Sequence, residues 1–405
     1  MLLDGTYISA PLPQNVKDHF GNGLKEYIIY QSHVNNVSQA KVHAELKDRG
    51  ILISEGEIHN IIIDTASTLK KEYHNIAKAG IATAQDIRVD DTGARHKGKN
   101  AASLMIQNDF FTHLVTSSGK SRKNFLLALR GNYSDYVIDE HALEYIKQYN
   151  PKQELLKKLM LLMDITCDDE QQWSMLLEKH DITDKNTGAN FLKIIEEAAL
   201  FGSAISHGFS PNTVILSDGA KQYAIATHAL CWIHAERAIR KLIPNSETEA
   251  KEIEDIRDQI WKYYKELKQY QSSPNQDDKI NLTEKFDKLF GQRVDSNQLS
   301  IVLNSFRKKK LELLRVLDHP HVPLHNNSTE QDIRKAVIKR KISGGTRSEQ
   351  GKIARDIFIS LIGTCRKNNI SPLSFIRDRI ANSGKIPCLA EIILRKVNFA
   401  NPPPS

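Results

Sequence analysis

An α/β fold, built on a mixed sheet flanked by helices, with a helical region ahead of it and helical insertions within it, is predicted by three observations. Residues 86 to 130 carry short apolar runs of strand character. A second strand-like run, Thr213-Val214-Ile215-Leu216, returns late in the chain. Nearly everything else has helical periodicity or helix-start signals.

The elements follow in order. Residues 1–84 read as a helical region. Val37 to Arg49 is periodic, Gly50 breaks the pattern, and Ser54 starts a second helix with Glu57 three residues on, a capping box. The outline resembles a helix-turn-helix, yet the second helix carries Glu55, Glu57 and Asp64, which repel phosphates, so a structural helical pair is expected. Residues 85–149 begin the mixed-sheet core. Ile87-Val89, Ala102-Leu104-Ile106, His113-Val115 and Phe125-Leu127-Leu129 predict three or four antiparallel strands, with turns at Gly98 and Asn108-Asp109, then a helix around Glu140 to Gln148. Residues 150–205 read as a helical insertion containing Leu155, Leu156, Leu159, Leu161 and Leu162. The core resumes over 206–243, from the second strand run to a helix carrying Cys231, His234, Arg237 and Arg240. A second helical insertion spans 244–320, where Ile253, Ile256, Ile260, Tyr263 and Leu267 form an apolar stripe expected to be core. Residues 321–385 complete the core with a basic segment. A tail is expected over 386–405, ending Pro402-Pro403-Pro404, which cannot continue a helix.

Composition excludes several classes. The chain has 405 residues, 40% hydrophobic and 26% charged, as in a globular protein with two or three domains. No run of about 18 apolar residues and no basic-then-apolar leader is present, so neither membrane span nor signal peptide is expected. Cys167, Cys231, Cys365 and Cys388 are scattered, which fits a reducing cytoplasm. The net charge of +7 suits a polyanion partner without demanding one. Arg334, Lys335, Lys339, Arg340, Lys341 and Arg347 form a run without an acid, and Arg307-Lys308-Lys309-Lys310 a second. Each run is either a solvated helix face or a phosphate-binding surface.

Three acids stand in settings that suit metal-dependent chemistry. Asp90 follows the apolar run Ile87-Arg88-Val89, Asp218 follows Ile215-Leu216-Ser217, and Glu330 lies at the start of a helix after Asn326-Asn327-Ser328-Thr329. Taken singly, each has a structural explanation: an Asp-Gly turn, or a first-turn acid favoured by the helix dipole. Their order, an acid on the first strand, one ending a later strand and one on a late helix, matches a ribonuclease H-like fold. Three such carboxylates are suited to holding two Mg²⁺ ions for in-line phosphoryl transfer. Arg334, four residues after Glu330, shares its helix face, and the Ile342-Ser343-Gly344-Gly345-Thr346 turn has backbone amides that could cradle a phosphate. Cys231-x-x-His234 supplies only two ligands where structural zinc takes four, so His234 is expected as a buried polar group or a DNA contact. No nucleophile elbow or dinucleotide fingerprint is present.

Together these motifs resemble the insertion sequence 66 family of transposases. Asp90-Asp91-Thr92-Gly93 is similar to the family's Asp-Glu-Thr-Gly, Ser217-Asp218-Gly219 with Tyr223 to its second acid motif, and Cys231-Trp232-Ile233-His234 to its Cys-Trp-x-His. The block from Asn326 through Glu330 and Arg334 to Val337–Gly351 is the most specific. Asp91 stands where the family has Glu, and Ala94 replaces a frequent Trp. The resemblance implies a DDE transposase with Asp90, Asp218 and Glu330 as metal ligands, taking Mg²⁺ or Mn²⁺. It implies nicking of transposon ends and attack of the freed 3′-OH on target DNA. Contacts to DNA are expected from His234, Arg237, Arg334, Lys339, Arg340, Lys341 and Arg347. Expected partners are DNA, a second copy or more on DNA, and accessory proteins of the same element, in a nucleoid-associated cytoplasmic setting. A nuclease or resolvase without strand joining, and a DNA-binding protein without chemistry, are the alternatives.

Overall fold

The computed structural model describes residues 20–163 and 165–400, the side chains of 399 and 400 excepted. The expectations for a leader and for the Pro402–Pro404 end lie outside them.

The chain begins with α1 (Asn22–Ile29), continued by a wider helical turn over Tyr30–Val34, then α2 (Gln39–Asp48) and α3 (Glu55–Ala82). Local sequence sets these ends. Ser54 Oγ accepts from Glu57 N at 3.1 Å, and Gly50 leaves α2 with a positive φ of 78°. α3 buries Ile58, Ile61, Ile62, Leu69 and Ile76, so it is a core helix, while Glu55 and Asp64 face solvent.

The sheet opens with β1 (Asp86–His96), β2 (Lys99–Gln107) and β3 (Thr112–Ser117), paired antiparallel in sequence. Lys97 and Gly98, both left-handed, make the two-residue turn that a twisted hairpin favours. The expected fourth strand is instead α4 (Arg122–Arg130). Phe125, Leu127 and Leu129 alternate, but the buried set includes Phe125, Leu126, Ala128 and Leu129, a helical spacing, and Ser121 Oγ caps the helix through Asn124 N.

Next come β4 (Tyr136–Val137), α5 (Glu140–Lys147), α6 (Gln153–Met160), β5 (Thr166–Cys167), α7 (Glu170–Lys179), α8 (Asp184–Thr187) and α9 (Ala189–Ser206). β4 and β5 pair apart from the main sheet. α9 packs on α4, α5 and β4, and its Ile195, Ala198 and Leu200 join the main core. Strands β6 (Val214–Ser217) and β7 (Thr227–Leu230) run parallel to β1 and to each other. The five-stranded order is β3-β2-β1-β6-β7.

Then follow α10 (Trp232–Arg240), α11 (Glu247–Ser272), α12 (Gln276–Gly291), α13 (Asn297–Lys308), α14 (Lys310–Leu313) and α15 (Arg315–Asp318). They share a second core. The stripe Ile253, Ile256, Ile260, Tyr263 and Leu267 is buried there against Phe286, Phe290 and Leu303. Trp232 joins that core, and its Nε1 donates to Leu313 O at 2.9 Å.

The chain ends with α16 (Asn327–Ser343), α17 (Glu349–Lys367), α18 (Pro372–Ala381) and α19 (Leu389–Ala400). Beyond residue 386, where a tail is expected, α19 packs on α3 and buries Leu389 and Ile393. Apolar periodicity outweighs position near the chain end.

α17 closes the β3 edge. Leu114 N donates to Ser360 Oγ at 2.8 Å, Thr116 N to Asp356 Oδ2 at 2.8 Å, and Thr112 N to Thr364 Oγ1 at 3.1 Å. Four helical residues advance about 6 Å, and two strand residues about 6.8 Å. Side chains at every fourth position of α17 therefore meet every second amide of β3. An exposed edge would be a pairing hazard, and this ladder satisfies it within the chain.

Candidate active site

Alternation along β1 sends Arg88 and Asp90 to one face and Val89 and Asp91 to the other. The parallel ladder pairs Asp86 with Val214 and Arg88 with Leu216, an offset of 214 − 86 = 128. The ladder stops at that pair, two residues before Asp90 on β1 and two before Asp218, which lies one residue past the end of β6. Each acid thus follows closely on the paired stretch of two neighbouring strands, which run about 4.8 Å apart. Asp218 Oδ1 accepts from Ala220 N at 3.0 Å, and Gly219 (φ 99°) turns the chain away.

Asp91 is committed elsewhere. It pairs with Lys120, accepts from Gln222 Nε2 at 2.9 Å, and accepts the Tyr223 hydroxyl. Among the described residues Asp90 has no cation partner, and it accepts from the Asp91 amide at 2.8 Å. Burial, then the charges of Asp218, Asp91 and Glu330, push its carboxyl up to about 6 despite that amide bond. Those three charges are therefore its neighbours.

The helix bearing Glu330 is pinned beside Asp90. Buried Asn326 donates through Nδ2 to Val89 O at 2.9 Å, and Gln107 Nε2 donates to Thr329 Oγ1 at 2.9 Å. Arg88 reaches Ser328 Oγ at 3.4 Å while gripping Asp109 at 2.6 and 2.9 Å. From the other side, Asn326 N donates to Cys231 Sγ at 3.3 Å, and Trp232 N to Leu324 O at 2.9 Å. The Cys-Trp-x-His segment is thus a brace for the start of α16. Burial raises the Cys231 thiol, as befits a packed sulfur.

Glu330 faces α10. Arg237 Nη1 lies 3.1 and 3.3 Å from its two oxygens, and Nη2 lies 3.2 Å from Oε2. His234 Nε2 stands 3.7 Å from Oε1. Burial lowers the His234 pKa, opposed by Glu330 and Asp218. Asp90 and Asp218 offer the hard oxygens Mg²⁺ takes. Among the described residues, however, no three His, Cys, Asp or Glu side chains are gathered closely enough to hold an ion as they stand. Glu330 is drawn to Arg237. The donor set fits a divalent ion in kind, and its third member is engaged by a guanidinium.

Residues 201–354 match the family described as Transposase IS66 family. A relative from Sinorhizobium fredii (strain NBRC 101917 / NGR234), Uncharacterized protein y4jO, is 36% identical over 321 residues, covering 78% of this chain and 99% of that protein. The chain belongs to the IS66 transposase family. No solved structure matches it. The matched segment contains Asp218 and Glu330, and Asp90 precedes it.

The basic segment of this IS66-family chain divides. Arg334, Lys341 and Arg347 are exposed. The Arg340 guanidinium lies over β1, 3.5 Å from where a Cβ on Gly93 would stand, so glycine there gives it room. Lys339 turns inward, donating to Ser32 O, and burial lowers its ammonium to about 8. It is not presented to a ligand as the sequence expectation had it. The glycine turn is also stitched down. Gly344 N donates to Arg340 O at 2.8 Å and Thr346 N to Arg95 O at 3.0 Å, so these amides are not free for a phosphate. A Cβ at Gly345 (φ 114°) would fall 2.6 Å from Arg95 O. Sequence reasoning missed Asn326 and Gln107 as the pins of α16. It also missed Lys309, whose Nζ lies 3.9 Å from the Cβ position of Gly219, beside Asp218. Lys309 sits in a basic run the sequence did display.

Proposed function

We propose that this chain is a DDE transposase with Asp90, Asp218 and Glu330 as its acidic triad on a ribonuclease H-like core. The observation that supports the reading is that Asp90 and Asp218 each follow closely on the paired stretch of β1 and β6, with the Glu330 helix pinned on Val89. The strand order, three antiparallel strands followed by two parallel to the first, supports the fold assignment. Mg²⁺ or Mn²⁺ held by these carboxylates would supply charge stabilisation and an activated water for phosphodiester cleavage. The chain's own contribution is positional. Strand β1 carries Asp90, the turn just after β6 carries Asp218, and the Asn326 and Cys231 contacts fix the approach of Glu330. At neutral pH Asp90, titrating near 6, is mostly ionised and ready to ligate. Exposed Arg334, Lys341 and Arg347, with Arg340 over β1, would grip DNA phosphates and account for the basic excess. The substrates would be transposon ends and target DNA, acted on in the cytoplasm by two or more copies, with or without element-encoded partners. No helix of the described residues is long and apolar enough to cross a membrane.

The test is a plasmid carrying the element's ends, incubated with the chain and Mg²⁺. End nicking and joined products are expected. Asp218→Asn should cut at least about a thousandfold more slowly while binding the same DNA within about threefold, since it removes a ligand but no phosphate contact. Cutting without joining would assign a nuclease, and binding alone a non-catalytic DNA-binding protein.

A further inference from the structure

Arg237 occupies both oxygens of Glu330, at 3.1, 3.3 and 3.2 Å, more closely than His234 beside it at 3.7 Å. A Mg²⁺ or Mn²⁺ ion binds a carboxylate oxygen at about 2.1 Å. An ion on Glu330 would therefore stand only about 4–5 Å from a guanidinium still in place, and like charges at that range repel strongly in a half-buried site. The two cations compete for one carboxylate.

The surroundings let only the side chain of Arg237 yield. α10 is anchored at its start by Trp232 and by Cys231 Sγ on the Asn326 amide. On its far face buried Glu236 accepts from Arg257 Nε at 2.8 Å, tying α10 to α11. Arg237 itself is about one-third exposed, with solvent to move into. Glu330 sits on a helix pinned at Asn326, one turn before it.

We propose that Arg237 is a displaceable counterion for Glu330: it occupies both carboxylate oxygens of the third acid, and a divalent ion completes its site by taking Glu330 from it. This rests on the DDE reading of the three acids. It gives Arg237 a positioning role on Glu330 in place of the standing DNA contact expected from sequence.

Mn²⁺ binding to the full chain without DNA, followed by the electron paramagnetic resonance signal of free Mn²⁺, tests it. Arg237→Ala should bind about tenfold more tightly than the unaltered chain, because losing a charge-assisted bidentate contact removes a competitor worth about one decade. Arg237→Lys, a single point charge, should fall between them. In a Glu330→Gln background the Arg237→Ala change should do nothing. Equal or weaker Mn²⁺ binding by both Arg237→Ala and Arg237→Lys overturns the proposal while leaving the triad standing. Mn²⁺ affinity unaffected by Asp218→Asn overturns it differently, by removing the site on which it rests.

Discussion

Replacing Asp90 by Asn should make the metal-free protein more stable. The carboxyl sits beside three other acids with no cation partner among the described residues, and its pKa rises from 3.8 to about 6. A rise of about two units at 1.36 kcal/mol each corresponds to about 3 kcal/mol of cost once the group is ionised. The sign follows from proton counts. Between about pH 4 and 6 the folded state holds more protons than the unfolded state, so stability falls as pH rises through that window. The full cost is present by about pH 8 and all but about 0.5 kcal/mol is gone at pH 4. Asn keeps the shape and an oxygen for the Asp91 amide, so it removes the charge and little else. Urea unfolding in EDTA should show Asp90→Asn more stable by about 2–3 kcal/mol at pH 8 and nearly level at pH 4. Added Mg²⁺ should narrow the gap at pH 8, because only the unaltered chain gains full binding energy. Equal stability at pH 8, or an undiminished gain at pH 4, would refute the account of Asp90 as a desolvated charge facing Asp218 and Glu330.

Two other perturbations test the supporting structure. Lys339→Met should stabilise the fold by about 1–3 kcal/mol at pH 7, since burial has lowered its ammonium from 10.5 to about 8. The unfolded state holds the extra proton between those values, so the unaltered chain should gain stability from pH 8 to 10 and the difference should shrink; duplex affinity at pH 7 should change less than about twofold, and a tenfold loss would show that Lys339 contacts DNA after all. Ser360→Ala strips the acceptor from the buried Leu114 amide, and should cost about 1–3 kcal/mol with faster exchange of that amide; unaltered exchange would mean the α17 ladder does not protect the edge.

Much of this architecture was legible because it is local. The capping box at Ser54, the Lys97-Gly98 turn region and the first three strands follow from short-range chemistry that the sequence displays. Phe125-Leu127-Leu129 misled because a short apolar run fits both periods, and only the Ser121 cap, combined with burial of Leu126, decides for helix. α19 was missed because its partner face lies on α3, more than three hundred residues earlier. Lys339 was grouped with its basic neighbours because charge is visible in sequence, whereas the direction a side chain takes from its helix depends on what packs there, in this case the turn at Ser32. For the site, the residue types and order of the three acids were readable. The 128-residue separation of Asp90 and Asp218 equals the offset of the short β1–β6 ladder that precedes them, a relation that no local sequence signal displays.

α10 then takes on a meaning that no single motif carries. Its first residue, Trp232, is buried in the helical module's core with Phe286 and Phe290, and its neighbour Cys231 holds the amide of Asn326 at the start of α16. One turn further, Glu236 binds Arg257 of the module while Arg237 binds Glu330. Adjacent residues on one nine-residue helix thus tie the module between β7 and α16 to the third acid. Glu330 is thereby tied, through Arg237, to a helix that the module itself holds.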